Sequence, residues 1–200
     1  SVFQWPDAVT VQPGELLQYI IGNGRILWLI CPDYGIIYPK ECRENRSDMD
    51  TILLDHQLQE TLFFEDPSFP IKYYVDNLNQ WADGQVPLHW HLGYECFSAA
   101  CQEIEVQVGF ERLRLRKGDS ILIGAGQLHS YRMTEPGQLC LCPNIVFTDE
   151  ILAPMTSSVF QKYFRPVLGD PTLPYMIFSS ESPWQAKLSE DLFSVYSLLA

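Results

Sequence analysis

Short apolar runs separated by Gly, Pro and Asp fill the middle of the chain, from residue 71 to residue 147. This spacing is typical of antiparallel strands in a barrel or sandwich. The alternation of charged and apolar residues is clearest where Arg112, Arg114 and Arg116 interleave with Leu113 and Leu115. It predicts a strand with one face exposed to solvent and one face in the core. The pattern predicts eight strands, a number that suits a jelly roll: Ile71–Asn77, Val86–His91, Glu95–Ala100, Ile104–Val108, Arg112–Leu115, Ser120–Ile123, His129–Met133 and Leu139–Phe147.

The first 70 residues are irregular and are interpreted as an N-terminal extension with no assigned role. A short helix is predicted at Glu15–Ile21 and an apolar strand at Ile26–Cys31. A longer helix is predicted over Asp50–Phe64, because three leucines recur there at every fourth position. His56 lies in that segment, and we interpret it as a surface or packing residue, not as a ligand.

The residues after the strands have a helical pattern, first over Ser157–Leu168 and then from Pro183 to the end. Ser182 is a good helix cap, and Pro183 suits the first turn, where its missing N–H costs little. Apolar residues then recur at intervals of three and four, which a single exposed helix does not need. This seam either packs on the barrel or pairs with another subunit, and we expect pairing in a homodimer. Its members are Trp184, Leu188, Leu192, Val195 and Leu199.

The charge excludes one class of partner for this segment. A formal net charge of −12 and a pI near 4.6 would repel a phosphate backbone, and no Lys/Arg run compensates. No apolar stretch approaches the roughly 20 residues needed to cross a bilayer. We therefore expect a soluble domain that binds neither nucleic acid nor membrane by itself.

The six cysteines are scattered without a C-x-x-C pair, and no secretory leader precedes them. This pattern favours a reduced, cytoplasmic setting over a disulfide framework. Cys140 and Cys142 share one face of a predicted strand, which could suit a metal, but two buried thiols in a core strand is the commoner meaning.

A His-x-His-x3-Glu cluster carries the candidate chemistry. Residues two apart in a strand share a face, so His89 and His91 point the same way while Trp90 points away, and Glu95 can rejoin their face. His129, on another strand, can close the cluster. Three imidazoles and a carboxylate form a reasonable first shell for a divalent metal such as Zn, Ni, Mn or Fe. Polar residues lining a ligand pocket, or satisfied core histidines, are the alternative.

Two segments, Gly84–Glu95 and Gly118–His129, resemble the paired motifs of the cupin superfamily, and the resemblance extends over Ile71–Phe147. It implies a double-stranded β-helix (jelly-roll) barrel, mainly β with C-terminal helices. In that family the first motif supplies two histidines and a glutamate, and the second supplies a third histidine. By position these four residues are His89, His91, Glu95 and His129.

Three positions depart from the cupin pattern. Gln102 stands where the first motif usually closes with glycine, Gly124 replaces the usual proline, and Met133 replaces the usual asparagine. The turn after the strand Glu95–Ala100 is therefore expected to differ from the family's, although the four ligand positions are intact.

Four segments are similar, in order, to the sensor domains of AraC-type transcription regulators: Phe69–Tyr74, Leu88–His91, Gly126–Ser130 and Val159–Leu168. In that family a cupin barrel is followed by a Lys-Tyr-Phe segment, a dimerising helix and two helix-turn-helix units. The resemblance divides this chain into an extension (1–70), a cupin barrel (71–148) and a helical segment leading to a dimerisation helix (149–200). The chain begins at Ser1, without a Met, and the DNA-binding units are expected to follow Ala200.

We therefore predict that the barrel senses a small molecule. Binding of that molecule would control DNA binding by the helix-turn-helix units expected after Ala200. Phe97 shares strand parity with Glu95, and Tyr131 shares it with His129, so both should line the ligand pocket. A sugar-like effector would suit these groups, but an organic acid or an aromatic compound stays open. A free-standing metal-dependent cupin enzyme, a dioxygenase or isomerase, is the alternative. We expect no enzyme and assign no catalytic residue, since no nucleophile elbow, phosphate loop or H-E-x-x-H motif is present.

Overall fold

The structure, a computed structural model, describes residues 28–31, 36–39, 52–179 and 181–199. The described residues fall into two units, and in the first β1 (Trp28–Cys31) pairs antiparallel with β2 (Ile36–Pro39). Strand β1 agrees with the apolar strand predicted there, and the helix predicted at Glu15–Ile21 lies outside the described residues. The second unit, Thr51–Leu199, contains the remaining elements.

Two antiparallel sheets form the body of the second unit. The first sheet has five strands in the order β10-β7-β4-β9-β3, and the second has three in the order β6-β5-β8. The segment 85–89 continues the second sheet beyond β8 through two isolated pairs, Gln85 with Arg132 and His89 with His129. The strands are β3 (Ile71–Asn77), β4 (Tyr94–Ser98), β5 (Ile104–Val108), β6 (Glu111–Leu115), β7 (Ser120–Ile123), β8 (His129–Met133), β9 (Leu141–Phe147) and β10 (Tyr175–Phe178).

The strand order is that of a jelly roll. Strand β3 lies in the first sheet and segment 85–89 in the second, and the chain then alternates between the sheets up to β9, with only β5 and β6 adjacent in the same sheet. This confirms the predicted cupin-type fold, mainly β with helices at the C-terminal end. Seven of the eight predicted strands are present, and β3, β5, β7 and β8 have the predicted bounds.

The predicted strand Val86–His91 makes only isolated pairs. Val86 and His89 are both buried, and their N–H groups both bond to carbonyls of the second sheet, of Tyr131 and His129 respectively, each at 2.9 Å. They are three residues apart, and a regular strand would send them to opposite faces. The chain therefore departs from regular strand geometry on its way to the histidines.

The helix predicted over Asp50–Phe64 is wrong for the residues described there. Leu54 bridges to Glu60 in the antiparallel sense, and Leu58 between them has a positive φ of 63°. The Asp55 carboxylate accepts hydrogen bonds from the N–H groups of Gln57 and Gln59, at 2.8 and 2.9 Å. Such side-chain bonds offer the backbone an alternative to a helix, and here they stabilise a turn.

The C-terminal part is helical as predicted, with one addition. Residues 158–168 are helical, with a π-helical turn at Phe160–Phe164 that runs into α1 (Arg165–Leu168), and α2 spans Pro183–Leu199. Between them lies β10, which the helical pattern missed and which pairs with β7. No helix in the described part of the chain is both long and apolar enough to span a membrane.

The first sheet is buried on both faces. Its inner face meets the second sheet in an inner layer that includes Phe97, Ile121 and Cys142. Its outer face carries Cys96, Ile145 and Phe147, which pack with Tyr196 of α2 in an outer layer. Glu95 and Phe97 therefore face inward on β4, and Cys96 and Ser98 face outward, so strand alternation alone delivers Glu95 to the interior.

Candidate functional site

The four residues of the His/Glu cluster meet inside the jelly roll. His89 and His91 lie in the segment before β4, Glu95 is on β4 in the first sheet, and His129 begins β8 in the second. One potential ligand atom from each residue lies within 4.8 Å of the others. Each of the four residues is 3% exposed or less. The site therefore bridges the two sheets and is shielded from solvent.

Backbone contacts hold the two motifs together. The N–H of His89 donates to the carbonyl of His129 at 2.9 Å, and the N–H of His129 donates back at 2.7 Å. Between His91 and Glu95 the chain passes so close to β9 that a Cβ at Gly93 would lie 2.8 Å from the Val146 side chain. Gly93 is thus required for this approach, because no larger residue fits without displacement.

Each histidine is oriented by a backbone carbonyl oxygen two residues away. The Nδ1 atoms of His89, His91 and His129 lie 2.8, 2.9 and 2.7 Å from the carbonyl oxygens of residues 87, 93 and 127. A carbonyl oxygen only accepts, so each Nδ1 carries a proton and donates it. All three rings therefore have their Nε2 atoms available to the centre of the site, as metal-binding histidines commonly do.

Glu95 is the common partner of three other groups. Its Oε2 lies 3.0 Å from Nε2 of His91 and 3.1 Å from Nε2 of His129, and its Oε1 accepts a hydrogen bond of 2.9 Å from the Tyr131 hydroxyl. Since Nδ1 of both rings is already a donor, Nε2 can donate to Glu95 only in the imidazolium form. The site therefore concentrates positive charge beside the Glu95 carboxylate.

Burial and charge act in opposite directions on these groups. Burial disfavours the charged form of Glu95, but hydrogen bonds from His129 and His91 outweigh it and hold its pKa well below the usual range. Burial likewise opposes protonation of His91, but the contact with Glu95 raises its pKa. Burial, and then the charge of His129, lower the pKa of His89 to about 4. His89 is therefore neutral at physiological pH.

The donor set fits a divalent first-row transition metal. Three neutral imidazoles and one carboxylate are ligands that such ions prefer. An ion bound by the three Nε2 atoms and Glu95 would replace the Nε2 protons of His91 and His129, and every Nδ1 bond would stay in place. The residues that would hold it are His89, His91, Glu95 and His129.

The two predicted aromatic pocket residues lie beneath the cluster. The rings of Phe97 and Tyr131 stack at 3.9 Å between centroids and 8° between planes, and both are fully buried. Tyr131 reaches the cluster through its hydroxyl, and Phe97 supports the Tyr131 ring. Trp90 points away from the cluster, as predicted, and its indole N–H donates to the carbonyl of Gln57 at 3.0 Å.

The predicted dimerisation residues lie on two different faces of α2. Leu192 and Leu199 are half-buried against the outer layer of the first sheet. The other three, with Leu198 in addition, form an exposed apolar stripe whose members are Trp184, Leu188, Val195 and Leu198, exposed by 65, 41, 36 and 86%. The helix thus packs on its own sheet with one face and leaves a second apolar face uncovered by any described residue.

Gln102, Cys140 and Cys142 make contacts that stabilise the fold. The Gln102 amide bonds to both the N–H and the carbonyl of Glu135, at 2.8 and 3.1 Å, and so ties the turn after β4 to the loop after β8. This explains how glutamine replaces the glycine usual in the motif. Cys140 and Cys142 are fully buried, with 3.9 Å between their sulfur atoms, as expected for core thiols.

Two polar groups near the site were not predicted from the sequence. Glu60 lies at the edge of the cluster, with its Oε2 3.7 Å from Nε2 of His89. On the inner face of β9, the Asn144 amide donates to Asp76 at 2.5 Å, while its buried Oδ1 accepts no hydrogen bond from any described residue. The period of two along β9 could have placed Asn144 inside. No signal in the sequence indicated Glu60.

The chain was compared with protein families and with individual known proteins. No protein-family model matches the chain. An uncharacterized HTH-type transcriptional regulator of Bacillus subtilis, YdeC, is 24% identical over 157 residues, 76% of this chain and 51% of that protein. The chain thus spans about half the length of this curated relative.

Solved structures similar to parts of the chain include cupins. A cupin 2 domain-containing protein of Halorhodospira halophila has a TM-score of 0.34 and 20% identity, and covers 43% of this chain and 56% of its own. The DMSP lyase DddQ of Ruegeria pomeroyi has a TM-score of 0.34 and 22% identity, and covers 40% and 39%. At these scores the fold assignment depends on the strand order of the chain itself, which is that of a cupin-type jelly roll.

Proposed function

We propose that this chain is the effector-sensing and dimerisation domain of an AraC-type transcription regulator. The observation that carries the proposal is the similarity to the B. subtilis HTH-type regulator over 76% of this chain. The jelly roll supplies the sensor, and a helix-turn-helix part outside these 200 residues supplies DNA binding. The acidic charge of −12 agrees with that division of roles, because this part would repel DNA by itself.

The interior of the jelly roll supports a small-molecule ligand with hydrogen-bond donors. Beside the His/Glu cluster, the inner face carries Asp76 and Asn144, and the buried Asn144 Oδ1 has no donor among the described residues. A buried acceptor without a partner typically costs about 1–3 kcal/mol, which a ligand hydroxyl or amine would recover. A sugar-like effector with several hydroxyl groups therefore suits these groups better than a purely aromatic one.

A metal in the cluster would anchor such a ligand. A divalent transition metal held by His89, His91, Glu95 and His129 would act as a Lewis acid toward a ligand oxygen. The protein's own contribution is to fix the three imidazoles through their Nδ1 bonds and to keep the centre dry.

The uncovered face of α2 is proposed as the dimer contact. Its apolar stripe is interrupted only by Asp191, which is paired with Lys187 at 2.6 Å. We expect Leu188→Asp to convert a dimer to a monomer in analytical ultracentrifugation. Ser197→Asp adds the same charge at another exposed position of α2 and should leave the dimer intact. A monomeric mass for the unchanged protein would contradict the proposed contact.

The regulator proposal is tested in two steps. First, the reading frame is expected to continue past codon 200 into a helix-turn-helix region. A frame that stops there would contradict the proposal. Second, a panel of sugars, organic acids and aromatic compounds is screened by thermal shift, and hits are added to the full-length protein in a DNA mobility-shift assay. A coupling of about 1–3 kcal/mol would change DNA affinity some 5- to 150-fold.

A metal-dependent cupin enzyme, a dioxygenase or isomerase, is the second candidate. The cluster favours it because four protein ligands would leave coordination positions of a six-coordinate metal open to a substrate. Turnover of a screened ligand by the metal-loaded protein, abolished in His89→Ala, would favour the enzyme over the sensor. Binding without turnover would favour the sensor.

A further inference from the structure

Glu60 comes to the cluster from the segment before the first strand of the jelly roll. Its N–H donates to the carbonyl of Trp90 at 2.8 Å, and the N–H of Trp90 donates to the carbonyl of Leu58 at 3.0 Å. The indole N–H of Trp90 donates to Gln57 in the same segment. Three hydrogen bonds thus fix Glu60 beside the residue that lies between the two histidines of the motif.

The Glu60 carboxylate faces the one histidine of the cluster that Glu95 does not contact. Oε2 of Glu60 lies 3.7 Å from Nε2 of His89, whereas the oxygens of Glu95 contact His91, His129 and Tyr131. The Glu60 side chain is only 17% exposed. A carboxylate is rarely buried to this extent without a positive partner.

Without a metal, the imidazoles of His91 and His129 supply the positive charge that acts on Glu60, and Lys72 adds to it. A metal bound through Nε2 of His91 and His129 would displace the protons that carry the charge of those two rings, while Glu60 would stay 3.7 Å from Nε2 of His89. With Glu95, the site contains two carboxylates around three imidazoles. A divalent cation would balance that charge.

We propose that Glu60 is a fifth member of the cation site, a second carboxylate that faces a bound divalent metal from the side of His89. Glu60 lies outside the compact set of four ligand atoms. Its proposed role is therefore to supply negative charge and to accept hydrogen bonds from groups bound beside the metal. The inference depends on the metal assignment in the proposed function.

The test uses Mn²⁺ alone as the probe. Protein freed of metal by chelation and dialysis is titrated with Mn²⁺, and the free ion is followed by electron paramagnetic resonance. Outer partners of metal ligands typically contribute about 10- to 100-fold in affinity, so Glu60→Gln is expected to weaken Mn²⁺ binding by about tenfold or more. Glu65→Gln removes the same charge from an exposed position of the same segment and should bind Mn²⁺ as the unchanged protein does.

A charge-retaining variant protects the test against a folding defect. Glu60→Asp keeps the carboxylate and should recover most of the affinity that Glu60→Gln loses, whereas a merely structural role would make both variants alike. Equal Mn²⁺ affinity of the unchanged protein and Glu60→Gln would overturn the role of Glu60 alone. No Mn²⁺ binding by the unchanged protein would overturn it together with the metal assignment, and the effector and DNA tests would still decide the regulator proposal.

Discussion

The two buried layers on either side of the first sheet are built from different chemistry. The inner layer contains ionisable and amide groups, His89, His91, Glu95, His129 and Asn144, among its apolar residues. The outer layer is apolar apart from hydroxyl groups, chiefly that of Tyr196, which donates to the Cys96 carbonyl at 3.1 Å and lies 3.0 Å from Ser98 Oγ. Alternate residues of one strand, β4, supply both layers.

We expect this difference to separate the proposed binding role from the stability of the fold. Burying charge is costly unless partners compensate, and the proposed binding of a ligand in the jelly roll would account for the ionisable groups of the inner layer. Burying a large aromatic against a sheet contributes to folding directly. Changes in the outer layer should therefore lower stability, and changes in the inner cluster should lower binding. The four predictions below test that separation, from the largest expected effect to the smallest.

Removal of the Tyr196 side chain should have the largest effect. Tyr196 is fully buried between α2 and the sheet, in ring contact with Tyr73 and Phe193. Tyr196→Ala is expected to lower the free energy of unfolding by about 3–5 kcal/mol, measured by urea denaturation. Ser197→Ala, at an exposed position of the same helix outside the apolar stripe, should change it by less than about 0.5 kcal/mol. Equal losses would show that α2 does not pack as described.

The metal site should fail when two of its ligands are removed. His89→Ala with His129→Ala is expected to reduce metal affinity by more than about 100-fold, since even outer partners of ligands are worth 10- to 100-fold. Metal content after dialysis against Zn²⁺ or Mn²⁺ measures this. His56→Ala removes an exposed histidine outside the cluster and is the control. Unchanged metal content in the double variant would rule out coordination at this site.

Gly93 allows the His/Glu motif to approach β9, so a side chain at this position should affect both stability and metal binding. An added Cβ would lie 2.8 Å from Val146, 2.9 Å from Leu62 and 3.0 Å from the Phe147 carbonyl. Gly93→Ala is expected to cost about 1–3 kcal/mol by overpacking and to weaken metal binding as well. Adding Leu62→Ala should recover part of the loss. Additive losses in the double variant would contradict this steric explanation.

The smallest expected effect is the loss of the Tyr196 hydroxyl alone. Tyr196→Phe keeps the ring and removes the contacts with Cys96 and Ser98, so it should cost about 1 kcal/mol of stability. Metal affinity should stay unchanged, because the hydroxyl lies on the outer face of the sheet. Altered metal affinity would show that the two layers are coupled through β4.

Strand alternation made much of this architecture predictable. Period-two patterns and turn residues gave four strands their correct bounds. The spacing of His89, His91 and Glu95 predicted that these side chains converge, and they do, although the segment before β4 is not a regular strand. The helical pattern likewise gave α2. These features are local, because a strand or helix of sufficient amphipathicity shows its buried face in its own residues.

Other features could not be predicted because their cause lies elsewhere in the chain. Three leucines at every fourth position indicated a helix around residues 54–62, but the Asp55 turn and hydrogen bonds to Trp90 form an extended pair there. Strand β10 forms by antiparallel pairing with β7, which is distant in the sequence. The apolar residues of α2 lie on two faces of the helix, and only the tertiary structure shows which face is buried. Leu192 and Leu199 pack on the sheet, whereas Trp184, Leu188 and Val195 are exposed.

The sequence by itself thus indicated a body of short antiparallel strands through its short-range periodicity, and its resemblance to the cupin motifs implied the four residues that converge there. The tertiary structure decided which other groups reach that cluster. Glu60 comes from a segment with no site motif, and Asn144 pairs with Phe97 on the neighbouring strand. Contacts between residues distant in sequence depend on sheet pairing, and no local pattern contains that information.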